Sequence, residues 1–356
     1  MYRPDYKANI NSVLGSYYIR YDSMLRLNNA ILQGYQNNEI DVYVDLKNML
    51  KKLYSVEVYS NQKFSICAAI INLAAHIRGY YRTRHSLWAR IYLVYGEDSA
   101  FNHTQYYQYF SDEDLRENSL NKNTNEEFIN SQLELVKILC AYINEVYYVR
   151  KKSDFSMFTY DNIIENGKDR INVIISKSKY TYQIPVFANN TVLFRPVKTV
   201  SDNGLLDTSF LVTKNTALVL ANNKSKNQDI VHINPELIGL FWALNGLSEK
   251  HVHSLVNITR AVKMILDACK SGKILNAYNS DPVYVFNNLL NLYTIIDANT
   301  FSYRFYAIDL ITQYRIYKNS VESKDYSWKI DLQDPETVKQ ISSKYFVDNP
   351  LDLLNL

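Results

Sequence analysis

Four acidic residues in this sequence follow short apolar runs, at places where a carboxylate could hold a divalent ion. They are Asp45 after residues 40–44, Glu97 and Asp98 after residues 89–96, and Asp154 after residues 146–150. Carboxylates converging at such points would bind one or two Mg²⁺ ions and support phosphodiester hydrolysis, because paired cations clamp the attacking and leaving oxygens. A fourth run, residues 172–175, ends instead in Ser176-Lys177-Ser178. Two hydroxyls and a lysine stand where such a site would want an acid. Asp41 and Asp45 also admit a plainer reading, as solvated strand-edge residues or helix N-caps.

The elements that must position these residues alternate. Residues 40–44 read as a strand, "NQKFSICAAIINLAAHIRGYY" as an apolar helix, and residues 89–96 as a second strand. The helix "FINSQLELVKILCAYI", a strand at 146–150, the helix "FSMFTYDNIIEN" and the strand at 172–175 follow. Strands alternating with helices imply an α/β fold, a central mostly parallel sheet flanked by helices, with its chemistry at the carboxyl ends of the strands. Residues 186–221 alternate in period two around Asn-Asn and Asn-Gly and read as β-hairpins. From residue 233 onward the pattern is helical. Three regions result: an N-terminal helical extension at 1–37, an α/β domain at 38–232 and a helical region at 233–356.

Composition excludes several classes. The 39 basic residues nearly cancel 36 acidic ones, leaving a net charge of +3, so no extended nucleic-acid coat is encoded. Three cysteines, Cys67, Cys140 and Cys269, are far apart in apolar helical contexts and read as buried free thiols rather than a disulfide or zinc framework. No apolar run reaches the ~18–20 residues of a membrane span, and the first residues lack a signal-peptide core. A soluble protein of the host cytoplasm or of a virion is the expectation. Tyrosine is abundant, at 31 against 14 phenylalanines and 9 glycines. With frequent Asn and Lys, this fits an AT-rich, bacteriophage-like genome, and it suits wet protein interfaces. His251 and His253, at i and i+2, would lie on different helix faces and make no metal site. "KSGKI" reads as a helix stop at glycine rather than a phosphate loop, and "DPET" as a helix-capping signal.

The order "VYVDLKNML", "IYLVYGEDSAFNHTQYYQYF", "INVIISKSKYTYQIP" and "ELIGLFWALNGLSEKHVHSLVNITRAVKMI" resembles the PIN-like 5′-nuclease superfamily, the flap-endonuclease and polymerase-associated exonuclease group. The resemblance spans about residues 38–310. It makes Asp45 the counterpart of the family's first-strand aspartate and Asp154-Phe155-Ser156 the counterpart of its acidic helix start. Residues 237–266 correspond to its helix–three-turn–helix element, which holds a duplex backbone, here through Asn257, Thr259, Arg260 and Lys263. Residues 105–110, "QYYQYF", fall where the family has its arch or clamp, so these aromatics would stack on bases or face a protein partner.

Departures from the pattern set the functional expectation. Ser178 stands in place of the fourth-strand aspartate and Ser156 in place of a helix acid, while the turn "HSLVNITRAV" carries no glycine. Serine is a weak neutral ligand, so the charge that Mg²⁺ binding relies on is reduced. The sequence therefore implies a catalytically depleted nuclease fold used as a structural or interaction component of a phage-encoded assembly. Protein partners are expected, DNA is possible, and no cofactor is needed. The alternative is an active 5′ nuclease on branched or single-stranded DNA, using Mg²⁺ held by Asp45 and Asp154 with Glu97 and Asp98.

Overall fold

A computed structural model describes residues 39–47, 49–50, 66–96, 126–140, 143–151, 153–200, 206–212, 234–250, 252–270, 274–293 and 304–319. The 1–37 extension, Glu97, Asp98 and the 105–110 aromatic cluster lie outside these residues, as does "DPET".

Six strands form one sheet in the order β3-β2-β1-β4-β5-β6. They are β1 (Glu39–Asp45), β2 (Trp88–Gly96), β3 (Val146–Lys151), β4 (Ile171–Ile175), β5 (Thr191–Val200) and β6 (Leu206–Val212). Neighbours from β3 to β5 pair in parallel, and β6 returns antiparallel on β5. The first four strands follow the sequence expectation. The fifth differs: residues read as hairpin begin with a strand parallel to β4, and only β5 with β6 makes a hairpin. Its crossover is short, a 3₁₀ turn (Tyr180–Gln183) and a one-turn helix (Ile184–Phe187).

Strands β1 to β4 are largely buried because helices cover both faces. Period two sends Ile40, Val42 and Val44 of β1 into a core with α1 (Ile66–His85) and α2 (Glu126–Cys140). Tyr43 points the other way, toward α3 (Phe155–Asn166) and the helices after residue 234. Asp41 and Asp45 share its side. Directly opposed in register, Tyr43, Tyr92 and Tyr147 stack across β1, β2 and β3, with centroids 4.9 and 5.3 Å apart.

Asp41 is no solvated edge residue. It is fully buried, and accepts from Arg90 Nε at 2.7 Å, Arg90 Nη2 at 2.6 Å and Arg170 Nε at 2.9 Å. Both arginines come from neighbouring strand starts, and Arg170 also pairs with Glu39. This network ties the amino ends of β1, β2 and β4 together.

On the Tyr43 side, α4 (the Ile184–Phe187 turn) leads toward α5 (Ile238–Asn245) and α6 (Ile258–Cys269). Then come α7 (Ile274–Ser280), α8 (Pro282–Leu292) and α9 (Leu310–Lys318). The α5 sequence IGLFWALN is buried from Ile238 through Leu244, which makes it the centre of this layer. Gly246 ends α5 with φ +84°, and a Cβ there would meet the His253 carbonyl carbon at 2.7 Å. Glycine alone fits that turn readily. His253 lies in this connection rather than on a helix, which corrects the helical reading for that residue, while His251 lies outside the described residues. Cys140 is buried and Cys269 partly so, and both are free. No helix among the described residues is long and apolar enough to cross a membrane.

Candidate functional site at the strand ends

Beyond the carboxyl ends of β1, β2 and β4 lies a cleft of about 280 Å³, lined by residues that include Asp45, Asp154, Ser156, Ser178, Glu249 and Lys250. The sequence-predicted residues Asp45, Asp154, Ser156 and Ser178 thus meet in one place. Asn257, which caps α6, and Thr259, Arg260 and Lys263 within it are not among the residues that line the cleft.

Asp45 closes β1, the strand between β2 and β4, and is 3% exposed. Ser176, just past β4, donates its hydroxyl to Asp45 Oδ2 at 2.7 Å. The serine expected to face Asp45 was Ser178, but the contact is made two residues earlier. Ser176 Oγ also accepts from the Ser178 amide at 3.1 Å, which fixes the turn that follows.

Asp154 precedes α3 and is its N-cap, with Oδ1 accepting from the Met157 amide at 2.9 Å. Gly96 makes this position possible. A Cβ on it would lie 2.3 Å from the Phe155 nitrogen and 2.8 Å from the Asp154 carbonyl carbon, so the end of β2 touches the start of α3 backbone to backbone. Ser156, in the first turn, is buried against the cleft.

Two residues that sequence reasoning missed complete the site. Glu249 and Lys250 sit in a 3₁₀ turn (Ser248–Lys250) between α5 and α6. Lys250 Nζ donates to Asp154 Oδ2 at 2.5 Å and lies 4.0 Å from the centroid of the Tyr180 ring. The charge pair and the cation–π contact together hold the side chain in this position. Glu249 reaches the turn after β4, accepting from Ser178 Oγ at 2.6 Å and from the Lys179 amide at 2.9 and 2.8 Å. Nothing local in the sequence marks them, since their contacts are to segments 70 to 96 residues away.

Tyr180 forms the floor. Its hydroxyl donates to Gln313 Oε1 at 2.6 Å, and burial, with Asp154 and Asp309 adding to it, pushes its pKa well above the ordinary value. The phenol stays neutral and is held in place. Among the described residues, no three His, Cys, Asp or Glu side chains gather closely enough to hold a metal ion together. The carboxylates that do line the cleft are already engaged by a hydroxyl, by amides and by an ammonium.

The predicted backbone-holding residues lie at the start of α6. Asn257 caps it, accepting from the Arg260 amide at 2.9 Å. Thr259, Arg260 and Lys263 are exposed, and Arg260 Nη2 also reaches the Tyr293 carbonyl at 3.4 Å.

No protein-family model matches the sequence, and no curated protein does. Solved structures do match in fold. A bacteriophage T5 flap endonuclease, solved as a pseudo-enzyme–product complex with DNA and metal ions, aligns with a TM-score of 0.52 and 11% identity. The match covers 89% of this chain and 100% of that one. The T5 5′-exonuclease with bound zinc ions gives 0.51 and 11% over 86% of this chain and 98% of that one. The T5 protein co-crystallised with metal ions gives 0.51 and 10% with the same coverage. With five parallel strands and an antiparallel sixth in one sheet, helices on both faces and a helical layer within residues 234–319, this chain shares the α/β fold of these 5′-nuclease structures.

Proposed function

We propose that this is a catalytically depleted member of the 5′-nuclease fold, serving as a structural or interaction component of a phage-encoded assembly. The observation that carries the reading is the state of Asp154. One of its oxygens caps α3 and the other is taken by the Lys250 ammonium. The T5 neighbours are described with metal ions, but these residues fit a divalent ion poorly. Mg²⁺ needs anionic oxygens in near-octahedral array. Here the fourth strand brings Ser176 and Ser178, α3 brings Ser156, and a lysine already neutralises Asp154.

What remains is a folded scaffold with an abundance of tyrosine and a segment, 1–37, that precedes β1 in sequence. That segment would supply contacts to a neighbouring subunit or partner. Purified protein should show no cleavage of 5′-flap or single-stranded DNA in Mg²⁺ or Mn²⁺. Turnover that disappears in Asp45→Ala would overturn the reading and restore the active metal-dependent 5′ nuclease. Deleting residues 1–37 should leave a folded protein that no longer assembles.

The exposed start of α6 favours a second role, holding a nucleic-acid backbone without cutting it. Thr259, Arg260 and Lys263 present hydroxyl and cationic groups there. Replacing Arg260 and Lys263 by alanine should then lower duplex affinity and flatten its salt dependence by about one unit of slope per lost phosphate contact. An unchanged slope removes α6 from consideration.

A further inference from the structure

We infer that the Lys250 ammonium, one of three lysines lining the strand-end cleft, is the cation that holds Asp154, occupying by a tether the place that a divalent ion would otherwise take. The inference rests on the depleted-site reading above and names what replaced the metal. A carboxylate removed from water needs a compensating charge or donors. The Asp154 and Lys250 side chains are only 15% and 12% exposed, so their pair is mostly shielded from solvent. The ammonium is also seated on the Tyr180 ring, whose neutral face adds attraction without adding charge.

Lys250 does not arrive there as a loose surface side chain. Its neighbour Glu249 binds Ser178 Oγ and the Lys179 amide, pinning the Ser248–Lys250 turn to the segment after β4. Two opposite charges in sequence thus make two contacts across the cleft, one to the turn that follows β4 and one to the cap of α3. Without the ammonium, Asp154 Oδ2 would lose its partner in a cleft that Asp45 also lines. One or two carboxylates with retained waters is a set on which a hydrated divalent ion binds weakly.

The test is chemical rescue of Lys250→Met by Mn²⁺, read as thermal unfolding of the full chain in EDTA and in millimolar Mn²⁺. Removing the ammonium should lower Tm by roughly 2–4 °C. Mn²⁺ should restore most of that loss in Lys250→Met while leaving the unsubstituted protein unmoved. The response should vanish in Lys250→Met with Asp154→Asn, which separates this cleft from adventitious ion sites. If Lys250→Met does not respond to Mn²⁺, the inference is overturned while the depleted-site reading stands. A response in the unsubstituted protein also overturns it, and flap cleavage by that Mn²⁺-loaded protein would bring down the depleted-site reading as well. Should Lys250→Met fail to fold, refolding yield answers the same question. A yield gained only with Mn²⁺ supports the tethered cation, and equal yields overturn it.

Discussion

Ser178 donates its hydroxyl to Glu249 at 2.6 Å, joining positions 71 residues apart. The same carboxylate takes the Lys179 amide, so it anchors the turn after β4 to the connection between α5 and α6. Glu249→Ala should destabilise the protein by about 0.5–1.5 kcal/mol, the range for net hydrogen bonds at a partly solvated site. Urea unfolding measures this directly. Ser178→Ala, losing one of the contacts, should cost less, and an equal or larger cost would mean Glu249 is not the anchor.

Gly96→Ala should be more damaging than its size suggests. The added methyl meets backbone atoms of Asp154 and Phe155, which have no rotamer to yield. Overpacking of this kind costs about 1–3 kcal/mol. The start of α3 should shift away from β2, and with it the Asp154–Lys250 pair. Crosspeak changes confined to the start of α3 and the 248–250 turn would mark that movement; changes spread over the whole sheet would contradict it.

Asp41→Asn tests the opposite end of the sheet. Two guanidinium groups converge on this buried carboxylate. Removing this anion takes the carboxylate away from Arg90 and leaves Arg170 with Glu39 alone, at a cost of up to about 3–5 kcal/mol. Cleft chemistry should be untouched, so Mn²⁺ response and duplex binding should stay as in the unsubstituted protein at a temperature where both are folded.

Asp309 gives a pH prediction. Burial pushes its carboxyl pKa upward, against the opposing pull of the Thr312 hydroxyl and amide and the Tyr278 hydroxyl. A folded pKa above the ordinary ~3.9 means the native state holds the proton longer than the unfolded one. Its contribution is therefore fullest below about pH 4 and falls as pH rises through the folded value. The stability difference between the unsubstituted protein and Asp309→Asn should shrink as pH rises from 4 toward neutrality. A difference that grows over that range would show the donors outweigh burial.

The first four strands were legible because each is a short run rich in β-branched or aromatic residues, the first three followed by a helical pattern and the fourth by a polar turn. β5 was read only as hairpin because its crossover is two tight turns around Pro185, and because Arg195 and Pro196 give it the alternation of an antiparallel edge. Asp45 and Asp154 were placed at strand ends by the same local logic. Glu249 and Lys250 were not, since their partners lie 70 to 96 residues away and nothing in "GLSEKHV" marks them. Asp41 was misread for the same reason: the two arginines that bury it come from the starts of other strands. Local pattern reports which face a side chain takes, and partner identity needs the packed sheet.

The strand order also has a consequence for synthesis. β1 comes first in sequence among the described strands, yet it lies between β2 and β4, and the Asp45–Ser176 contact at its end spans 131 residues. At ribosomal rates of roughly 5–20 residues per second, those 131 residues take about 7–26 s to emerge. For that interval the central strand has one backbone edge with no native neighbour to receive it. Such an edge invites pairing with another nascent chain. Elongation speed between β1 and β4, set by codon usage and tRNA supply, thus bears on soluble yield independently of how stable the finished protein is.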